Sequence, residues 1–212
     1  MDTKIAPFSA KKRSSIVKAA HDLFLDKGYE LTSMDDIAAR AKVSKPTVYN
    51  HFRDKEALYA EVVRATTDNV ESLVSLVTRS LADSEDFESS LLDLARTFLA
   101  ALMQPQMLKL RRMVIANAER FPEVGRLWYE QGFERVLQSL SDCFEHLAVR
   151  SVLKLDDPMV AANHFVGLLL WIPINKAMFT GDPVSSKAAH ERYASNAVRA
   201  FLAAYSKRKR TT

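Results

Sequence analysis

The stretch Thr32–Phe52, TSMDDIAARAKVSKPTVYNHF, decides the fold. Ser33 offers a hydroxyl to the free amides of a helix start, and Asp36, three residues later, can return a bond to the cap in the manner of a capping box. A short helix follows, with Ile37, Ala38 and Ala41 turned inward. Lys42-Val43 makes a tight break, and Ser44 caps the next helix. Pro46 is tolerated there because amides in a first turn lack helical partners anyway. Two short helices joined by about three residues, the second one capped, describe a helix-turn-helix. The second helix is built from mediocre helix formers, Thr47, Val48, Tyr49, Asn50, His51 and Phe52. Val48 and Phe52, four residues apart, anchor one face, which leaves Lys45, Pro46, Thr47, Tyr49, Asn50 and His51 directed outward or sideways. Such a surface is costly unless something uses it, and local rule-breaking tends to mark function.

Working outward, Ile16, Ala19, Ala20, Leu23 and Phe24 form one apolar helical stripe, and Gly28 stands where a left-handed residue would end that helix. Asp54 caps a fourth helix, expected over 55–80, with Leu58, Val62 and Val63 inward. Beyond it every pattern is helical. A polar stretch at 82–86 precedes a helix rich in Leu91, Leu94, Phe98 and Leu99. Pro105 opens a helix through Phe121, and Pro122 opens another to about Arg150. Asp156-Asp157-Pro158 starts an apolar helix to Phe179, interrupted by Pro173 and stopped at Thr180-Gly181-Asp182-Pro183. The last helix runs from about Ser186 to Tyr205. The expectation is an all-α chain: a three-helix helix-turn-helix head over 1–55 and a helical body over 56–212, to which the resemblance below adds ligand sensing and dimerisation.

Charge agrees with a nucleic-acid partner. The formal net charge of +4 divides into +4 over 1–55 and −4 over 56–206, with a basic tail at Lys207-Arg208-Lys209-Arg210. The single cysteine, Cys143, excludes an intrachain disulfide framework and a cysteine-based zinc site; it reads as a buried thiol in a reducing cytosol, with redox sensing the alternative. The N-terminus shows no secretory h-region, and the longest apolar run, Phe165–Ile174, is well short of the roughly 20 residues that span a bilayer, so a cytoplasmic protein with no membrane role is expected. Five scattered histidines, no Gly-rich phosphate loop and no nucleophile elbow leave an enzyme without its constellation, and no metal site or cofactor is expected.

The stretch Ile16–Val62, IVKAAHDLFLDKGYELTSMDDIAARAKVSKPTVYNHFRDKEALYAEV, resembles the N-terminal domain of the TetR repressor family. The marks are Ala19-Ala20, Phe24, Gly28-Tyr29, Thr32-Ser33-Met34, Ile37-Ala38, Val43-Ser44, Tyr49, His51-Phe52 and Lys55-Glu56-Ala57-Leu58. Lys42 departs from the pattern, because many members have glycine before that valine. The resemblance implies that Thr32 and Ser33 bond phosphates at a positive helix end. It places Lys45, Pro46, Thr47 and Tyr49 in the major groove, with Ser44 as the cap that presents them. Tyr49, His51 and Lys55 would clamp the backbone, Lys42 would sit near a phosphate, and Lys11, Lys12 and Arg13 would reach a neighbouring phosphate or the minor groove. Asn50 either reads adenine or faces solvent. The implied partner is a double-stranded operator with an inverted repeat.

The segment Leu110–Glu123, with Trp128-Tyr129 and Asp157-Pro158, is similar to the effector domains of one broad TetR subgroup. The family then implies a homodimer through 157–179 and 186–205. Ala161, Ala162, Phe165, Val166, Leu169 and Ile172 would line one helix, and Ala189, Tyr193, Ala197, Ala200, Phe201 and Ala204 the other. A small apolar or amphipathic effector would contact Phe98, Met113, Asn117, Trp128, Phe165 and Trp171, beside a kink at Pro173. The competing function is a sensor-free DNA-binding or nucleoid factor of the same fold, which ligand-dependent release from DNA separates from a repressor.

Overall fold

A computed structural model of the chain describes residues 7–82, 84–181 and 186–207; Asp182, Pro183 and the basic tail beyond Lys207 lie outside the described residues. Among those described, ten α-helices and one π-helical segment account for nearly all of the regular structure, and the fold is all-α as expected. The chain divides into two compact units, the first made of residues 1–67 and 109–128, the second of 68–108 and 129–212.

The first unit holds α1 (Pro7–Lys27), α2 (Met34–Ala41), α3 (Lys45–His51) and the start of α4 (Lys55–Ala82). It also takes most of α6 (Pro105–Asn117) and all of α7 (Pro122–Leu127), so the boundary does not fall at 55/56. The reason is packing. Leu110, Val114, Phe121 and Val124 are buried in the same core as Ile16, Phe24, Ile37, Val48, Phe52, Leu58 and Val62. Its centre is aromatic: Tyr29 lies 5.6 Å from Phe24, 5.1 Å from Tyr59 and 4.7 Å from Phe121, ring centre to ring centre.

Local chemistry sets the helix ends. Gly28 has φ 80°, which closes α1 in the left-handed region that a side chain avoids. Ser33 and Asp36 form the capping box: Asp36 N–H donates to Ser33 Oγ at 3.1 Å, and Ser33 N–H donates to Asp36 Oδ2 at 3.2 Å. α2 ends in a Schellman motif, in which Val43 N–H reaches Ala38 O at 3.1 Å and Lys42 N–H reaches Ala39 O at 3.2 Å. That motif places Lys42 at φ 57°, ψ 43°. Asp54 caps α4 through the Ala57 amide at 2.8 Å.

The second unit comprises the rest of α4, α5 (Phe87–Leu102), the π-helical segment Trp128–Glu134 from Tyr129 onward, α8 (Arg135–Val149), α9 (Pro158–Thr180) and α10 (Lys187–Tyr205). The continuous helix expected from Pro122 to Arg150 is therefore three pieces, because seven residues around Gly132 take the wider π turn. The helix from Pro105 ends at Asn117, not Phe121. α9 packs on α8 and α10, and α10 packs on α5. Phe144, Phe165 and Phe201 meet at the centre, 5.0–5.9 Å apart. Asp157 caps α9 through the amides of Met159 and Val160, Pro158 occupies its first turn, and the helix runs unbroken through Pro173 to Thr180.

Part of the expected dimer face is packed within the chain itself, while its Ile172, Ala200 and Ala204 stay exposed. Ala161, Ala162, Phe165, Val166 and Leu169 are buried in the chain's own core, as are Ala197 and Phe201 of α10. The opposite side of α9 exposes Val160, Leu168, Trp171, Ile172 and Phe179, the last two-thirds or more uncovered for Trp171 (68%) and Phe179 (87%). Apolar on both sides, α9 is long and hydrophobic enough by composition alone to cross a membrane. Part of that character is its buried face, packed against α8 and α10.

Lys42 is the costly residue of the head, since a side chain in the left-handed region is disfavoured by about 1–2 kcal/mol. Replacing it by glycine is expected to raise urea-unfolding stability by about 1 kcal/mol. An unchanged or lower midpoint would mean that the Lys42 side chain makes a compensating contact.

Candidate nucleic-acid interface

α3 is held by its two inward residues. Val48 and Phe52 are buried, and Ser44 accepts from the Thr47 amide at 3.3 Å while its Oγ lies 2.8 Å from Thr47 Oγ1. Lys45, Pro46, Tyr49 and Asn50 are exposed, and Thr47 and His51 are half-buried. The outward set is thus the one expected, except that Thr47's hydroxyl is already engaged by its cap. Lys45 Nζ lies 2.9 Å from Asp35 Oδ1, at the first turn of α2, and this pair holds the lysine's pKa above its ordinary value. Asp35 was not legible as a site residue, because a pairing across ten residues of sequence leaves no local signal.

Two expected phosphate contacts have other work within the chain. Thr32 is only 1% exposed, and its hydroxyl donates to Gly28 O at 2.8 Å and Leu23 O at 3.3 Å, closing the end of α1. Ser33, not Thr32, is the exposed cap of α2. Lys55 Nζ donates to Tyr29 O at 2.8 Å, Thr32 O at 2.9 Å and Glu30 O at 3.4 Å, and it sits 4.3 Å from the Tyr29 ring centre. An ammonium has three N–H donors, so its capacity is used up inside the fold. Burial lowers its pKa. Arg13 likewise pairs with Glu61 at 2.7 Å and lies 5.1 Å over the Phe52 ring. Lys11, Lys18, Lys27, Arg40, Lys42 and Arg53 are further exposed cations of this unit, Arg53 being tied to Asp54 at 2.7 Å.

The expected effector contacts fall into both units. Met113 and Trp128 pack on the first unit's core, and Asn117 Nδ2 donates to Met113 O, one turn back on its own helix. Phe98 and Phe165 are core residues of the second unit, while Trp171 faces outward. Cys143 is buried and donates to Thr78 O at 3.4 Å. No grouping of three or more metal-ligating side chains occurs among the described residues.

Comparison with known proteins gives one answer for both units. Residues 16–62 match the family described as bacterial regulatory proteins, tetR family, and residues 89–207 match the AefR-like transcriptional repressor, C-terminal domain. A solved TetR-family transcriptional regulator from Mesorhizobium loti superposes with a TM-score of 0.92 at 48% identity, covering 97% of this chain and all of that one. The flavonoid-responsive regulator FrrA superposes at 0.73 with 30% identity, over 94% of this chain and 100% of its own. The HTH-type transcriptional activator FasR of Mycolicibacterium smegmatis is 40% identical over 74 residues, 35% of this chain, which thus spans about a third (34%) of that curated relative. With a helix-turn-helix seated on an aromatic core and both halves matched, the chain belongs to the TetR family of transcriptional regulators.

Proposed function

We propose that the chain is a ligand-responsive transcriptional repressor that binds an inverted-repeat operator as a homodimer and is released by a small apolar or amphipathic molecule. The observation that carries this is the outer face of α3, where Lys45, Pro46, Tyr49 and Asn50 are exposed while Val48 and Phe52 hold the helix in place. A helix so presented fits the major groove, where lysine donates to guanine O6 or N7 and the Pro46 or Thr47 carbons meet a thymine methyl. Ser33 and the free amides at the start of α2 suit a phosphate, and Tyr49 and His51 suit the flanking backbone. Lys42, exposed at the turn, adds charge toward the same strand. Lys45 must leave Asp35 to reach a base, so the carboxylate sets a cost on every lysine contact made there. The protein is proposed to work in the cytoplasm, at the nucleoid, without a membrane role.

A homodimer is supported by the uncovered stripe Val160, Leu168, Trp171, Ile172 and Phe179 on α9, flanked on α10 by exposed Ala200, Ala203 and Ala204. Large aromatic and aliphatic side chains aligned on one exposed helix face mark an interface. Two heads joined this way would present recognition helices to successive major-groove turns, about 34–36 Å apart. The name of FrrA supports a small-molecule response in a relative of this fold. A ligand releases operator only if it binds the non-operator arrangement more tightly, so the two affinities are reciprocally coupled.

Operator selection followed by binding titrations tests the assignments. Lys45→Ala and Thr47→Ala are expected to change which base is preferred, by about 1–3 kcal/mol. Lys55→Ala is expected to lower the unfolding stability of the protein by about 1–3 kcal/mol through its lost charge-assisted bonds, with base preference intact. A Lys55→Ala protein of parental stability whose salt dependence falls by about one phosphate contact would return Lys55 to the DNA backbone.

For the dimer, Trp171→Glu places a charge in the middle of the α9 stripe. Light scattering at micromolar concentration is expected to find monomer, with the preference for a palindrome over a half-site lost. A dimer unaffected by the glutamate would remove this face from the interface.

A further inference from the structure

One pair of cations in the first unit has no role in the contacts above. Arg111 and Arg112 follow each other on α6, and the Nε of each is shut off from solvent without a hydrogen-bond partner. Neither guanidinium forms an ion pair among the described residues, whereas Arg13, Arg96 and Arg120 all do. Arg111 is the deeper case, and its burial lowers its pKa. Its guanidinium carbon lies 5.7 Å from the Trp128 ring centre, at the start of the π-helical segment. Leu127, the last residue of α7 beside the tryptophan, is a partly buried apolar neighbour.

Arginine cannot shed its proton to escape such a site, so the charge stays, half-buried and with its Nε–H unpaired. A flat guanidinium also offers two parallel N–H groups that match a carboxylate or phosphate edge. Resting on an indole leaves one broad apolar surface beside that fork. The combination fits a ligand with an oxyanion at one end and a flat or hydrocarbon body at the other.

We infer that Arg111 is the anchor for the acidic group of an amphipathic organic acid, whose apolar body lies along Trp128. This rests on the ligand-responsive reading and narrows it, from apolar or amphipathic molecules in general to acids. The site lies wholly in residues 109–128, the segment whose Val114, Phe121 and Val124 share a core with the helix-turn-helix, so occupancy is registered in the same packed unit that carries α3. Arg112, a helical step of about 100° away, faces a different direction and is not part of the anchor.

The test uses full-length protein and two probes, 2-naphthoate and its uncharged counterpart 2-naphthamide, with inorganic phosphate as a third. By calorimetry, the parent is expected to bind the acid at least tenfold more tightly than the amide. Arg111→Met is expected to erase that difference, and Arg111→Lys to keep part of it. Thermal unfolding adds a readout that a structural arginine would not give: Arg111→Met should melt above the ligand-free parent, because it removes a half-buried charge with an unpaired Nε–H, and should gain nothing from naphthoate.

Equal binding of acid and amide by the parent, or of the acid by parent and Arg111→Met, would overturn the assignment, as would no binding of either. Phosphate competing as strongly as naphthoate would leave a bare anion site and overturn the amphipathic class. Acid bound at Arg111 with operator affinity unchanged would leave this site standing and overturn instead the ligand-released repressor.

Discussion

The rest of the head depends on the aromatic cluster of Phe24, Tyr29, Tyr59 and Phe121. These rings come from α1, the loop after it, α4 and the residues just before α7, and each is at most 7% exposed. They meet largely edge to face, the arrangement in which the positive ring edge meets the negative face. Lys55 seals the group by donating to the carbonyls of residues 29, 30 and 32 and lying over Tyr29, and Arg120 adds a pair with Glu30 while also stacking on Phe121. The cost is visible too: the Tyr59 hydroxyl is buried without a partner, and burial holds its pKa far above that of a free phenol.

This cluster explains why a segment from the middle of the body belongs with the DNA-binding head. α6 and α7 are separated from α3 by more than fifty residues of chain, yet their apolar side chains complete the same core. A bundle of α1 to α4 alone would leave Tyr29 and Tyr59 uncovered on the side that Phe121 fills. Any change in the packing of residues 109–128 is therefore a change in the support of the helix-turn-helix. For a regulator this is a direct physical route, since rigid packed cores respond to local displacement by shifting as units. Arg111, with its buried Nε–H unpaired, lies within the same segment, and a ligand held there as proposed would act on this core.

Charge is distributed with comparable economy on the outer face. α3 carries few cations of its own, and Lys45 is paired with Asp35 in the free protein. Exposed pairs of this kind contribute little to stability, so Asp35 acts chiefly on what the lysine does next. On the proposed reading, a base offering no acceptor would leave the lysine with its carboxylate, and the pairing would sharpen selectivity at some expense of affinity, as competing contacts do in other specific interfaces.

The sequence by itself determined the elements whose signals are local. Ser33 with Asp36, Ser44 with Pro46, Asp54, Asp157 with Pro158, and Gly28 and Gly181 each satisfy helix-end groups within a few residues, so their helices stand where the pattern put them. Lys42 stood out only through the family resemblance, as a departure where many members have glycine, and its left-handed backbone fits that preference. The outward face of α3 followed from Val48 and Phe52 alone. Only the tertiary structure decided which contacts between distant residues claim a side chain first. It gave Thr32 and Lys55 to carbonyls of the chain's own backbone, tied Arg13 to Glu61, and turned the Trp171 side of α9 outward while burying the Phe165 side. A helix that is apolar on both faces carries no periodic signal for which face is core, and a lysine carries none for whether its charge will meet a phosphate or a carbonyl. Those choices are made by what packs nearby, across separations that no window of sequence contains.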